Sequence, residues 1–129
     1  MKMKELFDRG EFVVSAEVGP PKGIHVDELV EEAKTYLKGV HAVNVTDNQS
    51  SVMRLGSLAM CKVLKDAGMD PIFQLACRDR NRIALESDLL SAAMLGIENI
   101  LCLTGDHTKM GDHPQAKPVF DLDSVSLLH

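Results

Sequence analysis

The strongest constraint on this chain is a regular spacing. Four short apolar runs end near Glu17, Thr46, Cys77 and Thr104, in steps of 29, 31 and 27 residues. Between successive runs, apolar residues recur at helical intervals. A strand, a helix and a return within about 30 residues form a βαβ unit, whose strands must be parallel. The expected strands are 12–18, 42–46, 71–77 and 100–104, with middles apolar enough for burial on both faces.

The first intervening helix is marked by Val26, Leu29, Val30, Ala33 and Leu37, with acids at its start, lysines late and Gly39 as its stop. The second carries Val52, Leu55, Ala59, Val63 and Leu64, with Ser50 or Ser51 as its cap and Gly68 as its end. The third carries Leu85, Leu89, Ala92 and Ala93 and stops at Gly96. Asp123 or Ser124 caps the start of a fourth. The fold class is therefore α/β, with four consecutive βα units. An open doubly wound sheet and the first half of a (β/α)8 barrel both accept this order. A whole barrel needs about 250 residues, so residues 1–129 read as one N-terminal portion, cut after the start of the fourth helix. About half of Val14, Ala16, Val43, Val45, Phe73, Leu75, Leu101 and Leu103 should point into such a barrel.

Composition narrows the function. The chain is 45% hydrophobic and carries a net charge of −5, which excludes a disordered tail and offers no basic stripe for nucleic acid. No run approaches the ~20 apolar residues of a membrane span, and residues 1–10 lack a secretory h-region. Three widely spaced cysteines, Cys61, Cys77 and Cys102, are no disulfide framework and point to a reducing, cytoplasmic setting. No paired cysteines or histidines have metal-ligand spacing, and neither the dinucleotide fingerprint nor the phosphate loop is present. His107 and His113 share a loop without evident partners.

The polar residues gather at the strand ends, where ligands bind in both architectures. Glu17 sits late in an apolar strand before Gly19-Pro20-Pro21. Desolvation there would raise its pKa and suit it to general acid work; the plainer reading is an acid that reaches water. Asn44, Thr46, Asp47, Asn48 and Gln49 can hydrogen-bond a heteroaromatic ring or a polyol, though a loop leading into a helix also uses such residues. Gly105-Asp106 lets backbone approach a ligand and aims a carboxylate at the same region as Glu17, or it is a simple turn. Arg78, Arg80 and Arg82 are expected to pair with Asp79, Glu86 and Asp88 on a solvated surface rather than to hold a phosphate.

Ala16-Glu17-Val18-Gly19-Pro20-Pro21-Lys22-Gly23 resembles the first-strand signature of methylenetetrahydrofolate reductases. Val45-Thr46-Asp47, Gln74-Leu75-Ala76-Cys77 and Leu103-Thr104-Gly105-Asp106 resemble the family's second, third and fourth, in order and in register, over about Glu11 to Leu128. The likeness is to a divergent bacterial branch. It implies a flavin-bearing (β/α)8 barrel that reduces 5,10-methylenetetrahydrofolate to 5-methyltetrahydrofolate through FAD. Glu17 would be the acid that assists opening of the folate's five-membered ring. Asp106 would sit near the flavin's pyrimidine edge and the folate. Thr46, Asp47, Gln74, Leu103, Thr104 and Gly105 would line the FAD site. The electron donor would be a reduced nicotinamide or another reductant. Three positions depart from the family's pattern: Gln74 stands where His is common, Asp47 where Tyr is frequent and Thr104 where Arg is common. The family's remaining contacts lie in its fifth to eighth strands, so self-association or a complementary subunit is expected. The competing readings are a half-barrel that only assembles and an open-sheet domain for a small ligand.

Overall fold

The computed structural model describes residues 1–129. Its elements are α1 (Met3–Asp8), β1 (Ser15–Val18), α2 (Asp27–Tyr36), β2 (Ala42–Val45), α3 (Ser57–Asp66), β3 (Pro71–Ala76), α4 (Arg82–Met94), β4 (Asn99–Leu103) and α5 (Ser124–Leu128). The four strands form one parallel sheet in the order β1-β2-β3-β4. A doubly wound sheet reverses its order at a switch point; this one advances one neighbour at a time. Helices α2, α3 and α4 pack on one face through a single core cluster. Four βα units laid down in this way are half of a (β/α)8 barrel.

Strand alternation divides the sheet into two chemically different faces. By register, Val18, Val45 and Phe73 share the outer face, and Val43 and Leu75 lie on it with them. They pack against Val30 and Ala33 of α2, Met60, Cys61 and Leu64 of α3, and Leu85 and Ala92 of α4. Each large apolar side chain so buried is worth about 1.5–3 kcal/mol, and this layer supplies most of the fold's stability. The lumen face carries Ser15, Glu17, Asn44, Ile72, Gln74, Ala76, Asn99, Leu101 and Leu103. Of the eight apolar strand positions expected to divide between the faces, only Leu101 and Leu103 point into the lumen. The sheet saves its bulk for the helix layer.

Several boundaries differ from the sequence expectation. β1 begins at Ser15 rather than at residue 12, and Phe12 is exposed. Only β3 is buried along its whole length; β1 and β4, at the sheet's edges, have exposed positions. The second helix starts at Ser57 with Gly56 as its cap, not at Ser50 or Ser51. Both serines are left-handed, at φ 58° and 60°, so they cannot start a right-handed helix. The six-residue α1 is too short to show periodicity and was not expected. It is tied to the amino edge of the sheet: the Met3 N–H donates to Asn99 Oδ1 at 2.8 Å, and Asn99 Nδ2 donates to the Met1 carbonyl at 3.0 Å. Asp123 caps α5, with Ser126 completing a capping box. No helix is long and apolar enough to cross a membrane.

Candidate functional site

The carboxyl ends of the four strands surround an open cup of about 140 Å³. Its lining includes Glu17 from β1, Thr46 beyond β2, Gln74 from β3, Leu103 from β4, and Gly105 and Asp106 just beyond it. Six of the expected residues, from or just beyond four different strands, thus meet in one place. Thr46 follows Asn44 on the lumen face, and its hydroxyl is fully buried with no hydrogen-bond partner. A buried polar atom left unpaired is costly, and Thr46 Oγ1 is the one buried side-chain nitrogen or oxygen that the chain leaves without a partner. Gln74 is also buried, and it donates from Nε2 to Asn44 Oδ1 at 3.2 Å. The Glu17 side chain is exposed on the lumen side. The expected desolvated setting is therefore not provided by these four strands.

Two of the expected residues act differently. Asp47 borders the cup, but its side chain is completely buried and its oxygens are engaged. Oδ2 accepts from the Ala76 N–H at 2.8 Å and from Arg80 Nη1 at 2.7 Å, and Oδ1 accepts from Arg80 Nη2 at 3.3 Å. Arg80 also pairs with Asp88 at 3.1 Å. Thr104 is one step along β4 from Leu103, so alternation turns it to the helix face. There its Oγ1 accepts from the Ser124 N–H at 3.0 Å and holds the start of α5. Burial pushes the Cys61 thiol, on α3, up to about 12, and the charge of Asp47 adds to the effect.

Arg78 overturns the expectation of a solvated arginine cluster. It is only 2% exposed. Its Nε and Nη2 fork onto Asp79 at 2.9 and 2.7 Å, Nη2 also reaches the Asn48 carbonyl at 3.2 Å, and Nη1 reaches the Asp106 carbonyl at 3.3 Å. One side chain thus joins the loops after β2, β3 and β4. Burial pushes the Asp79 carboxyl up, but the Arg78 fork, together with Asn48 and Arg80, outweighs it and the net shift is downward. Gly105 lies against this clamp at φ 94°, where a Cβ would come within 3.0 Å of Arg78 Cβ. Only glycine fits there without displacing the guanidinium. Arg82 pairs with Asp121 rather than with Glu86.

The rim is fastened by a second set of contacts. Asn48, Ser50 and Ser51 all have positive φ. Non-glycine residues tolerate that region only when their surroundings hold them there. Ser51 Oγ reaches the carbonyls of Asp106 and His107 at 2.8 and 3.0 Å. The backbone of Gly111 lies flush on the Ser51 carbonyl, where any Cβ would collide. Asp112 accepts from Lys22 Nζ at 2.8 Å and from the Met53 N–H at 3.0 Å, and it contacts His113 Nδ1 at 2.9 Å. His113 therefore has a partner after all, and His107 accepts from the Lys109 N–H. Sequence reading missed the clamp and the clasp because neither forms a local motif. The only signal was an arginine immediately following a strand.

The methylenetetrahydrofolate reductase family model matches residues 2–128. The chain belongs to this family. A search of curated proteins found no match. Family membership makes the protein methylenetetrahydrofolate reductase-like and agrees with the half-barrel of parallel strands described above.

Two predictions follow from the rim. Arg78→Met should destabilise the folded protein by about 3 kcal/mol, the low end for breaking a buried pair, because Asp79 keeps some contact with water. Denaturant titration checks this, and a loss below about 1 kcal/mol would mean that the loops hold without the clamp. The Asp112 carboxyl is held below the usual carboxylate range by Lys22 first, then by His113 and the Met53 N–H. A lowered folded pKa gives stability that is present above the ordinary value of about 4 and is lost as pH falls through the lowered one. Hydrogen exchange at the Met53 amide should therefore stay protected at about pH 4 and open only in stronger acid. Protection already lost near pH 5 would contradict the clasp.

Proposed function

We propose that this chain forms the first half of a flavin-dependent barrel that reduces 5,10-methylenetetrahydrofolate to 5-methyltetrahydrofolate, with FAD as cofactor. The observation that carries the reading is the buried, unpartnered Thr46 hydroxyl, set in a cup that also gathers Glu17, Gln74, Gly105 and Asp106. These residues fit a flavin. Thr46 Oγ1 and Gln74 can hydrogen-bond a heteroaromatic edge, and Gly105 leaves its backbone open to close approach. Leu103 gives an apolar wall. Asp47 and Thr104 serve the site indirectly, through Arg80 and α5. When bound, the flavin supplies the reducing equivalent.

The chain's own residues do the rest. Glu17 delivers a proton from its carboxyl oxygen to the ring nitrogen of the folate, which assists opening of the five-membered ring. Asp106, on the rim of the cup, would place a negative charge near a bound flavin and would disfavour further negative charge there. Arg78 fixes the backbone that carries Asp106. The electron donor is a reduced nicotinamide or another reductant. Three free cysteines suit a reducing cytoplasm.

The lumen side chains and the edges of β1 and β4 call for complementary strands, from further residues, a second copy or another chain. Residues 1–129 produced alone should scatter light as a species larger than a monomer. A monodisperse monomer with cooperative unfolding would show that the lumen face needs no cover. In an enzyme carrying this half with its remaining strands, Glu17→Gln should keep flavin reduction by the donor and lose about 10²–10⁴-fold in folate reduction. Flavin absorbance separates the two half-reactions. Folate turnover at the unsubstituted rate would remove Glu17 from the mechanism.

A further inference from the structure

We propose that Asn44 sets the polarity of the cup: it locks the Gln74 amide with its carbonyl toward the ligand, so that the site selects a ring edge that donates an N–H hydrogen bond. The proposal rests on the flavin and folate reading above, and it adds a positioning residue and a selectivity to that reading.

One atom beside Asn44 can act in only one way. The Ala16 carbonyl is backbone and only accepts, and it lies 3.4 Å from Asn44 Nδ2. The same amino group reaches Ser15 Oγ at 3.4 Å. Asn44 therefore turns its NH2 toward β1 and its Oδ1 toward β3. An oxygen must be met by a donor, so Gln74 presents Nε2, at 3.2 Å. Its Oε1 is left as an acceptor with no partner in the chain. The main chain of Gln74 is fixed separately, because its carbonyl accepts from Ser57 Oγ at 3.0 Å. The residue as a whole is only 7% exposed, and Gln74 lines the cup, where its free oxygen can be reached by a ligand.

Thr46, two residues along β2 from Asn44, makes the selection asymmetric. Its buried hydroxyl can either donate or accept, whereas Gln74, with its NH2 turned to Asn44, presents its oxygen as an acceptor on the other side. A ring edge with a carbonyl beside an N–H suits both: Thr46 donates to the carbonyl and Gln74 accepts from the N–H. The imide edge of a flavin and the lactam edge of a pterin share this chemistry, and binding experiments can tell them apart.

The test is a double-mutant cycle on ligand affinity, read by flavin fluorescence with FAD and by calorimetry with tetrahydrofolate. Wild type, Asn44→Ser, Gln74→Leu and the double variant are compared in the protein with its complementary strands. Gln74→Leu should weaken binding of the ligand it reads about tenfold. Asn44→Ser should weaken it several-fold without touching the ligand, and the double variant should be no weaker than Gln74→Leu. A residue that only ties the strands together would give additive losses. The ligand that shows non-additivity is the one Gln74 reads.

A ligand-free readout accompanies the cycle. The Gln74 side-chain NH2 should be protected from hydrogen exchange by NMR in wild type, should lose protection in Asn44→Ser, and should keep it in Asn44→Asp, which still offers only acceptors. That last variant also serves if Asn44→Ser does not fold. Additive losses, unchanged affinity in Asn44→Ser, or an unprotected NH2 in wild type overturns the proposal. If FAD fails to bind wild type while tetrahydrofolate shows the non-additivity, the flavin reading falls and the lock stands. If neither ligand binds, the selectivity is wrong.

Discussion

A buried guanidinium holds the working edge of this sheet together. Parallel strands all end on the same side, so the loops after β2, β3 and β4 leave the sheet side by side with no ladder between them. Arg78 supplies the missing connection. It spends four donor contacts on Asp79 and on two main-chain carbonyls from neighbouring loops. A charge so buried is tolerable only when its hydrogen bonds are made. That requirement fixes where Asn48 and Asp106 lie, and with them one wall of the cup. Gly105 is part of the same constraint, since its missing side chain is the space the arginine occupies.

The sheet also keeps stability and chemistry on separate faces. Val43, Val45, Phe73 and Leu75 meet the helices and form the dry layer. Glu17, Asn44 and Gln74 stand on the other side of the same strands. Because successive residues alternate, each polar group is held by a backbone whose neighbours are anchored in the core. Asn44 sits between Val43 and Val45, both almost fully buried. The amide chain from Ala16 through Asn44 to Gln74 is therefore built on rigid supports.

Much of this was legible in the sequence, because it depends on spacing. The 29-, 31- and 27-residue steps encode parallel βα units, and the strand-end positions of Glu17, Thr46, Gln74 and Asp106 follow from those steps. Asp123 as a cap could be read from its local pattern. What escaped depends on contacts between distant residues. Ser50 and Ser51 look like helix caps, yet tertiary contacts hold Asn48, Ser50 and Ser51 left-handed. Arg78 looks like a surface charge beside an acid, and nothing local shows that loops from three strands close over it. The exposure of Glu17 matches the plainer of its two readings, an acid that reaches water, and the local pattern could not choose between them because burial depends on which strands complete its surroundings.

The contact between Gly111 and Ser51 divides the long segment after β4 into two parts with different freedom to change. From Gly105 to Gly111 the chain is wedged against the second loop, and its backbone has no room for an added side chain at residue 111. Beyond the Asp112 clasp, the stretch toward α5 is held at scattered points, by the Val119 N–H on the Arg78 carbonyl and by Asp121 on Arg82. A change of length in that second part has to be taken up between those points, because Val119 holds the main chain of the clamp residue itself. The first part must keep its length for as long as the site is kept.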